Sequence, residues 1–226
     1  MGIKDLYSVK AIDSSETKEW LLYKHYAHRI PQISFAYGLY KNNILEGICT
    51  FGSPCRMLNN GYSCFKEGFS IDLYELNRLC INEGLEKNVL SFFVSQSLSL
   101  MPKPCCLVSY ADGNVNHHGF IYQATNWIYT GITAKETIYI NTKNGKILHP
   151  RTVVSLFGSR EKDNLPDYIE LLTESYGKYR YFQFLGSKKQ VKDMKVNFIY
   201  PILPYPKGDN KRYDASYIPT IQVNLI

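Results

Sequence analysis

Apolar and polar positions change period several times along this chain, and each change marks an element. Asp13 and Glu16 have the spacing of a capping box and predict a helix from about Ser14 to Tyr26. The stretch "SFAYGLYKNNILEGICTFG" predicts a hairpin, with strands Ser34–Tyr40 and Ile44–Phe51 about a Lys41-Asn42-Asn43 turn. A polar, Gly- and Asn-rich loop is expected from Gly52 to Gly68. "IDLYELNRLCI" (Ile71–Ile81) predicts a strand, "VLSFFVSQSLSL" a helix with Asn88 as its N-cap, and "CCLVSYAD" a short buried strand. Strand, helix, strand in that order predicts a parallel βαβ unit. A helix from about His117 to Asn126, a strand "WIYTG" and a hairpin over Thr137–Leu148 follow. A strand at Tyr179–Gly186, a helix after Ser187 and a Pro-punctuated tail from Pro201 complete the pattern.

Two polar arrangements interrupt these apolar patterns. In a continuous helix His118, Tyr122 and Asn126 stand four apart and share one face, yet that face carries almost no charge. Asp112 closes the strand before it, and open α/β sheets form their sites at strand carboxyl ends. The set supplies an acid–base inventory for a cleft; as architecture, Tyr122 and Asn126 are hydrogen-bonded structural groups and Asp112 is a turn or cap. The second arrangement lies in the Ile71–Ile81 strand. Strict alternation puts Leu73, Glu75, Asn77 and Leu79 on one face and Tyr74, Leu76, Arg78 and Cys80 on the other. A carboxylate and a guanidinium there serve either an ion pair or a site. Ser91 lies in the first turn of the following helix, where free backbone N–H groups attract anions.

The 226 residues, 45% hydrophobic, suffice for one full core. No apolar run approaches the roughly 18 residues of a membrane span, and MGIKDLYSVK has no signal core, so the expected location is cytoplasmic. The six cysteines (49, 55, 64, 80, 105, 106) form no CxxC pair and read as reduced thiols in packed strands and loops. No HxH or HExxH spacing supports a metal site around His25, His117 or His118 with Asp112. The net charge is +6, and Glu174–Arg212 alone holds nine Lys/Arg against three Asp/Glu. Tyr176, Tyr179, Tyr181, Phe182, Phe184, Phe198, Tyr200 and Tyr205 interleave with them. That mixture suits either a polyanion with bases to stack on or a solvated basic face over an ordinary core. Lys178, Arg180, Lys188, Lys189 and Lys207 are the candidate phosphate contacts.

The element order resembles the GNAT acyltransferase core, with "FIYQATNWIYTG" similar to its segment of a helical tyrosine before a strand. The resemblance implies an α/β (α+β) fold with a mixed, splayed central sheet flanked by helices. The expected organisation is a single domain over residues 1–226, with a core at about 14–157 and a basic, aromatic-rich C-terminal extension from about 174. "EGLEKN" stands where GNAT enzymes carry a Gly-rich pyrophosphate loop. More specifically, "KHYAHRIP", "AYGLY", "GICTFGSP", "YELNRL", "KNVLSFFVSQSL", "VSYAD", "HHGFIYQATNWIYTG", "KYRYFQFLG" and "YPK" together resemble the phage Mom family from about Trp20 to Lys207. Membership implies a transferase that converts adenine in duplex DNA to N6-carbamoylmethyladenine and blocks restriction. It implies a reaction centre of His25, Tyr26, Asp112 and Tyr122, and donor binding by Arg78 and Ser91. Asn88, at the helix start, and Asn126, on the polar row, are placed with them on the donor side. Partners are double-stranded DNA and a donor: acetyl-CoA, another acyl group, or an aminoacyl (glycyl) carrier. The oligomeric state, including a homodimer, stays open. Two other readings also stand: a GNAT-type transferase acting on a protein or small molecule, and a non-catalytic DNA-binding protein.

Overall fold

The computed structural model describes residues 2–54, 64–113, 117–135, 137–148, 150–174 and 177–208. Cys55, the centre of the Gly52–Gly68 loop, Tyr176, Lys211 and Arg212 lie outside the described residues.

A short helix α1 (Ile3–Leu6) leads into β1 (Tyr7–Ala11). The expected capping box is present: Asp13 accepts from the Ser15 amide at 2.8 Å, and Glu16 from the Asp13 amide at 3.0 Å. The segment starts as a 3₁₀ turn, Ser14–Thr17, and widens into a π-helical turn, Trp20–Lys24. The His25 amide closes that turn on the Trp20 carbonyl at 2.8 Å, and His25 itself turns to extended backbone. The helical stretch therefore stops two residues short of Tyr26, and His25-Tyr26 are delivered by its wide last turn. Next come β2 (Phe35–Lys41) and β3 (Ile44–Gly52). Asn42 and Asn43 between them have φ of 50° and 64°, the left-handed pair a tight hairpin needs and asparagine tolerates.

The βαβ unit forms as expected: β4 (Leu73–Ile81), α2 (Val89–Leu100) and β5 (Cys105–Asp112), with β4 and β5 parallel. The seven-stranded sheet has the order β1-β2-β3-β4-β5-β10-β6, where β6 is Ile128–Ile132 and β10 is Lys178–Leu185. Every pairing except β4 with β5 is antiparallel. A three-stranded sheet, β8 (Lys146–Leu148), β7 (Thr137–Asn141) and β9 (Ile169–Glu174), is inserted between β6 and β10 together with helix α4 (Pro150–Phe157). Of these, β7 and β8 were legible as the second hairpin. After β10, Ser187 caps α5 (Lys188–Asn197).

Alternation along β5 divides the core. Cys105, Leu107 and Ala111 join the larger cluster with Phe93, Tyr122, Trp127 and Tyr181, while Cys106 and Val108 join Phe182, Phe184 and Met194 on the opposite face. Helices thus cover both faces. Tyr181, Phe182 and Phe184 are buried, so these aromatics of the basic stretch are core and are closed to a stacking base.

One expected element is much shorter. The helix predicted over His117–Asn126 is only α3, Phe120–Ala124. Gly119 (φ 81°) begins it and Asn126 (φ 60°) ends it, both in the left-handed region. A Cβ on Gly119 would sit 2.4 Å from the Tyr181 ring, so only glycine fits there. His118, Tyr122 and Asn126 consequently do not share a helix face.

Candidate active site

The site lies where the parallel pair comes apart. β4 and β5 are paired only from Leu73–Glu75 to Cys106–Val108, although β4 continues to Ile81 and β5 to Asp112. Past Val108 the two strands separate, and a gap opens toward their carboxyl ends. Ser109, the first residue beyond the ladder, places its hydroxyl 2.7 Å from the Leu76 carbonyl and 2.7 Å from the Tyr122 phenol oxygen. Tyr122 is thereby held at the apex of the split, with its ring against Trp127 and Tyr181 (centroids 5.2 and 5.1 Å). Burial pushes its phenol well above the usual range.

The β4 side of the gap is set by a bulge. Leu76 pairs with Phe51 but Arg78 pairs with the adjacent Thr50, so one extra residue sits in β4. Asn77 is fastened there by Thr50 Oγ1 donating to its Oδ1 (2.6 Å) and by its own Nδ2 donating to the Gln32 carbonyl (2.9 Å). The bulge shifts the alternation. Glu75 and Arg78, which strict alternation separates, sense each other's charge. Burial lowers the Arg78 pKa, with further influence from Tyr26, Arg29 and Glu75. Arg78 Nη1 donates to the Asn77 carbonyl at 2.5 Å, while its buried Nε–H has no hydrogen-bond partner among the described residues. A buried unsatisfied guanidinium N–H is costly and suits an arriving anionic or carbonyl group.

His25 and Tyr26 close the gap from above. Their rings stack at 4.5 Å, and the Tyr26 ring meets His117 edge-on at 5.9 Å. Burial, reinforced by Arg78, His28 and His117, lowers His25 to about 3, so the imidazole is neutral. Its Nδ1 accepts the Ala27 amide at 3.1 Å, which leaves the ring proton on Nε2. His25 is therefore an N–H donor at this site. Burial and the nearby Asp112 carboxylate push Tyr26 up to about 12, and Tyr26 in turn raises Tyr122. Asp112 is on the β5 face opposite to Ser109, so Tyr26 is the group within electrostatic range of both Asp112 and Tyr122. Burial lowers His117 while Asp112 opposes the shift.

The remaining candidates separate by position. Lys178 pairs directly with Asp112 across β10 and β5. Residues 201–208 run back along β6: the Leu203 amide donates to the Tyr129 carbonyl (3.0 Å) and the Tyr205 hydroxyl to the Trp127 carbonyl (2.7 Å). They bring Gly208 against the His118 ring, so Lys207 stands at the same mouth. His118 packs on Tyr179 at 5.2 Å, at the wall of the site. Arg180, expected as a phosphate contact, is instead tied down. Its Nε donates to Thr130 Oγ1 (2.9 Å), its Nη2 to the Thr130 carbonyl (3.2 Å), and the guanidinium lies 3.8 Å above the Tyr200 ring. Lys188 and Lys189 are exposed at the start of α5, joined by Lys192 and Lys195. Lys188 follows the Leu185↔Cys105 end of β10, roughly 23 Å along the strand from Lys178 at about 3.3 Å per residue.

Of the residues expected on the donor side, Asn88 takes the N-cap position of α2 in left-handed conformation (φ 69°), and its side chain makes no capping hydrogen bond among the described residues. Ser91 Oγ donates back to the Asn88 carbonyl at 2.9 Å. The Val89 amide already donates to the Glu86 carbonyl at 3.2 Å, which leaves the amides after it as the part of the helix start suited to an anion. Asn126 is exposed, at the rim of a cavity of about 220 Å³ between Asn126–Tyr129 and Ile202–Tyr205; it is apart from the other donor-side residues. Burial raises the Cys49, Cys80 and Cys105 thiols to about 12, in keeping with packing. Among the described residues no three His, Cys, Asp or Glu side chains converge as metal ligands. Nor, among these residues, is any helix long and apolar enough to cross a membrane. Sequence reasoning missed Ser109 and the Asn77 bulge. The serine sits inside an apolar run and reads as one more buried strand position, and a bulge leaves no mark on local composition.

The model of the Mom protein family matches residues 6–207. The Methylcarbamoylase mom of Escherichia phage Mu is 26% identical over 191 residues, covering 81% of this chain and 77% of that protein. Similar solved structures include a GNAT family acetyltransferase from Elizabethkingia anophelis with acetyl-CoA bound (11% identity, 80% of this chain, 99% of that chain, TM-score 0.43). Another is Arabidopsis thaliana NAA60 in complex with acetyl-CoA (9% identity, 79% of this chain, 99% of that chain, TM-score 0.47). The chain belongs to the Mom protein family.

Proposed function

We propose that this Mom-family chain is a transferase that converts adenine in duplex DNA to N6-carbamoylmethyladenine and so shields phage DNA from restriction. The observation that carries the reading is the family match over residues 6–207 on a chain whose strand gap gathers His25, Tyr26, Arg78, Asp112 and Tyr122. An acyl or aminoacyl donor fits the β4 side: the Arg78 Nε–H, without a partner among the described residues, and the start of α2 beside Ser91 both favour an electron-rich group. When bound, the donor would supply a two-carbon unit; because attack at an acyl carbonyl would give an N6-amide, the carbamoylmethyl product requires attack at the methylene carbon of that unit. Arg78 and the α2 amides bind it, and His25 offers its Nε2–H to an oxygen near that carbon.

Adenine N6 is a weak, amide-like nucleophile inside a base pair, so the base leaves the stack to reach the gap. One N6–C bond forms and one N6–H bond breaks. The bond from the methylene carbon to its leaving group breaks with the electron pair on the leaving group, and the N6 proton passes to Asp112 by way of Tyr26, the group within electrostatic range of both Asp112 and Tyr122. Lys178 and Lys207, at the mouth, take the flanking phosphates. Mass spectrometry of nucleosides from DNA of cells expressing the chain tests the reading. The expected product is deoxyadenosine heavier by about 57 Da, the mass of C2H3NO added at the exposed base. Unmodified adenine from cells containing folded protein counts against it.

A further inference from the structure

We infer that Ser109 is a positioning residue that turns the Tyr122 proton into the protein, so that the phenol oxygen meets the incoming amino group as a hydrogen-bond acceptor. The inference rests on the transferase reading above for its acceptor, but the proton order rests on geometry alone. Ser109 Oγ carries one proton. It has two partners at 2.7 Å, the Leu76 carbonyl and the Tyr122 hydroxyl. A carbonyl can only accept, so the serine proton goes to Leu76. The hydrogen bond to Tyr122 then needs the phenol as donor. With its single proton committed to Ser109, the phenol oxygen has only acceptor capacity left.

The position of the serine gives this order its force. Leu76 and Ser109 are the first residues past the last paired positions, Glu75 and Val108. Ser109 is 1% exposed, so no solvent competes for its hydroxyl. The side chain takes over from the backbone ladder where β4 and β5 part, and one group both bridges the strands at the apex and orients the phenol. Were Tyr122 to hand its proton to a leaving group, Ser109 would have to swing its own proton onto the phenolate and abandon a buried carbonyl. An exocyclic amine, by contrast, presents N–H donors. A fixed acceptor holds one of them and aligns the nitrogen lone pair for attack.

The test uses the full chain with 13Cζ-labelled tyrosine, the Tyr122 signal being assigned with Tyr122→Phe. Ser109→Ala removes the acceptor, and Ser109→Thr keeps the hydroxyl. The expected result is a Tyr122 titration shifted downward in Ser109→Ala, because the neutral phenol loses its acceptor, and restored in Ser109→Thr; an upward shift, as when the serine donates to the phenolate, overturns the inference. Modification should fall about 10²-fold in Ser109→Ala, as for a misaligned reacting group, with kcat rather than KM carrying the loss. Should Ser109→Ala not fold, Ser109→Cys, close in size and a weak donor, takes its place with the same expectation. A Tyr122 signal and titration unchanged by loss of the hydroxyl overturn the inference, whether or not any modification is detected. So does a folded, fully active Ser109→Ala in a chain that modifies adenine. Absence of modification in wild type with a Tyr122 titration shifted downward in Ser109→Ala sinks the adenine reading and keeps the proton order.

Discussion

Lys178 is the cross-strand partner of Asp112, and the two form the terminal residue pair of the β5–β10 ladder. Directly opposed residues in an antiparallel pair stand about 4.5–5.5 Å apart at Cα and point to the same face. A cation therefore stands beside the carboxylate proposed to take the N6 proton, at the mouth that Lys207 also reaches. Replacing Lys178 and Lys207 with Ala should weaken duplex binding, flatten its salt slope by about one unit per contact, and depress modification. The Lys188→Ala, Lys189→Ala pair, at the far end of β10, should lower affinity alone and leave the turnover of bound DNA unchanged. Binding isotherms across a salt series, paired with single-turnover assays, separate the two groups. Equal effects of both pairs on turnover would remove Lys178 from the mouth.

Arg180 should behave as a structural residue. Its contacts with Thr130 and the Tyr200 ring predict that Arg180→Ala costs about 1–3 kcal/mol of stability, from a cation–π contact and charged hydrogen bonds. The salt slope of DNA binding by the folded variant should stay as in wild type. A slope reduced by a full unit without loss of thermal stability would return Arg180 to the phosphate contacts.

Asp112→Asn and Tyr122→Phe are near-isosteric and test the reaction centre. Asp112 takes up a proton, a role that contributes about 10²–10⁴-fold in rate, and Tyr122 aligns the amine as an acceptor, so each change should nearly abolish modification while duplex binding persists. Melting curves run alongside the assay settle the architectural alternative for Tyr122: a variant that melts early yet modifies DNA normally per folded molecule takes it out of the mechanism.

His25 should leave a signature in acid. Burial holds it near 3 in the folded protein, against an ordinary 6.5. Between these values the unfolded chain binds a proton that the folded chain does not, so stability falls as the pH falls through that window and levels off below it. The full effect is on the order of 5 kcal/mol. Denaturant midpoints from pH 7 to pH 4 should drop less steeply in His25→Asn, whose amide oxygen can still accept the Ala27 amide. Parallel curves for variant and wild type would assign the acid loss to another group.

Local sequence determined much of this protein because turn and cap chemistry acts over a few residues. Asp13 with Glu16, the Asn42-Asn43 turn, the strand–helix–strand run to Asp112 and the Ser187 cap are each legible from neighbours in the chain. The motifs carrying the family resemblance were equally visible, since they are words in the sequence. What tertiary structure decided are relations between distant residues. Gly119 and Tyr181 meet so closely that the helix begins after the glycine, which broke the expected row of His118, Tyr122 and Asn126. β10 comes from the basic stretch yet pairs between β5 and β6, which buried aromatics that looked ready for bases and locked Arg180. The separation of β4 from β5 past Val108 turned an unremarked strand serine into the link between Leu76 and Tyr122. Composition and periodicity report which face a residue prefers. Which strand lies beside it, and where two strands part, is set by the packing of the whole sheet.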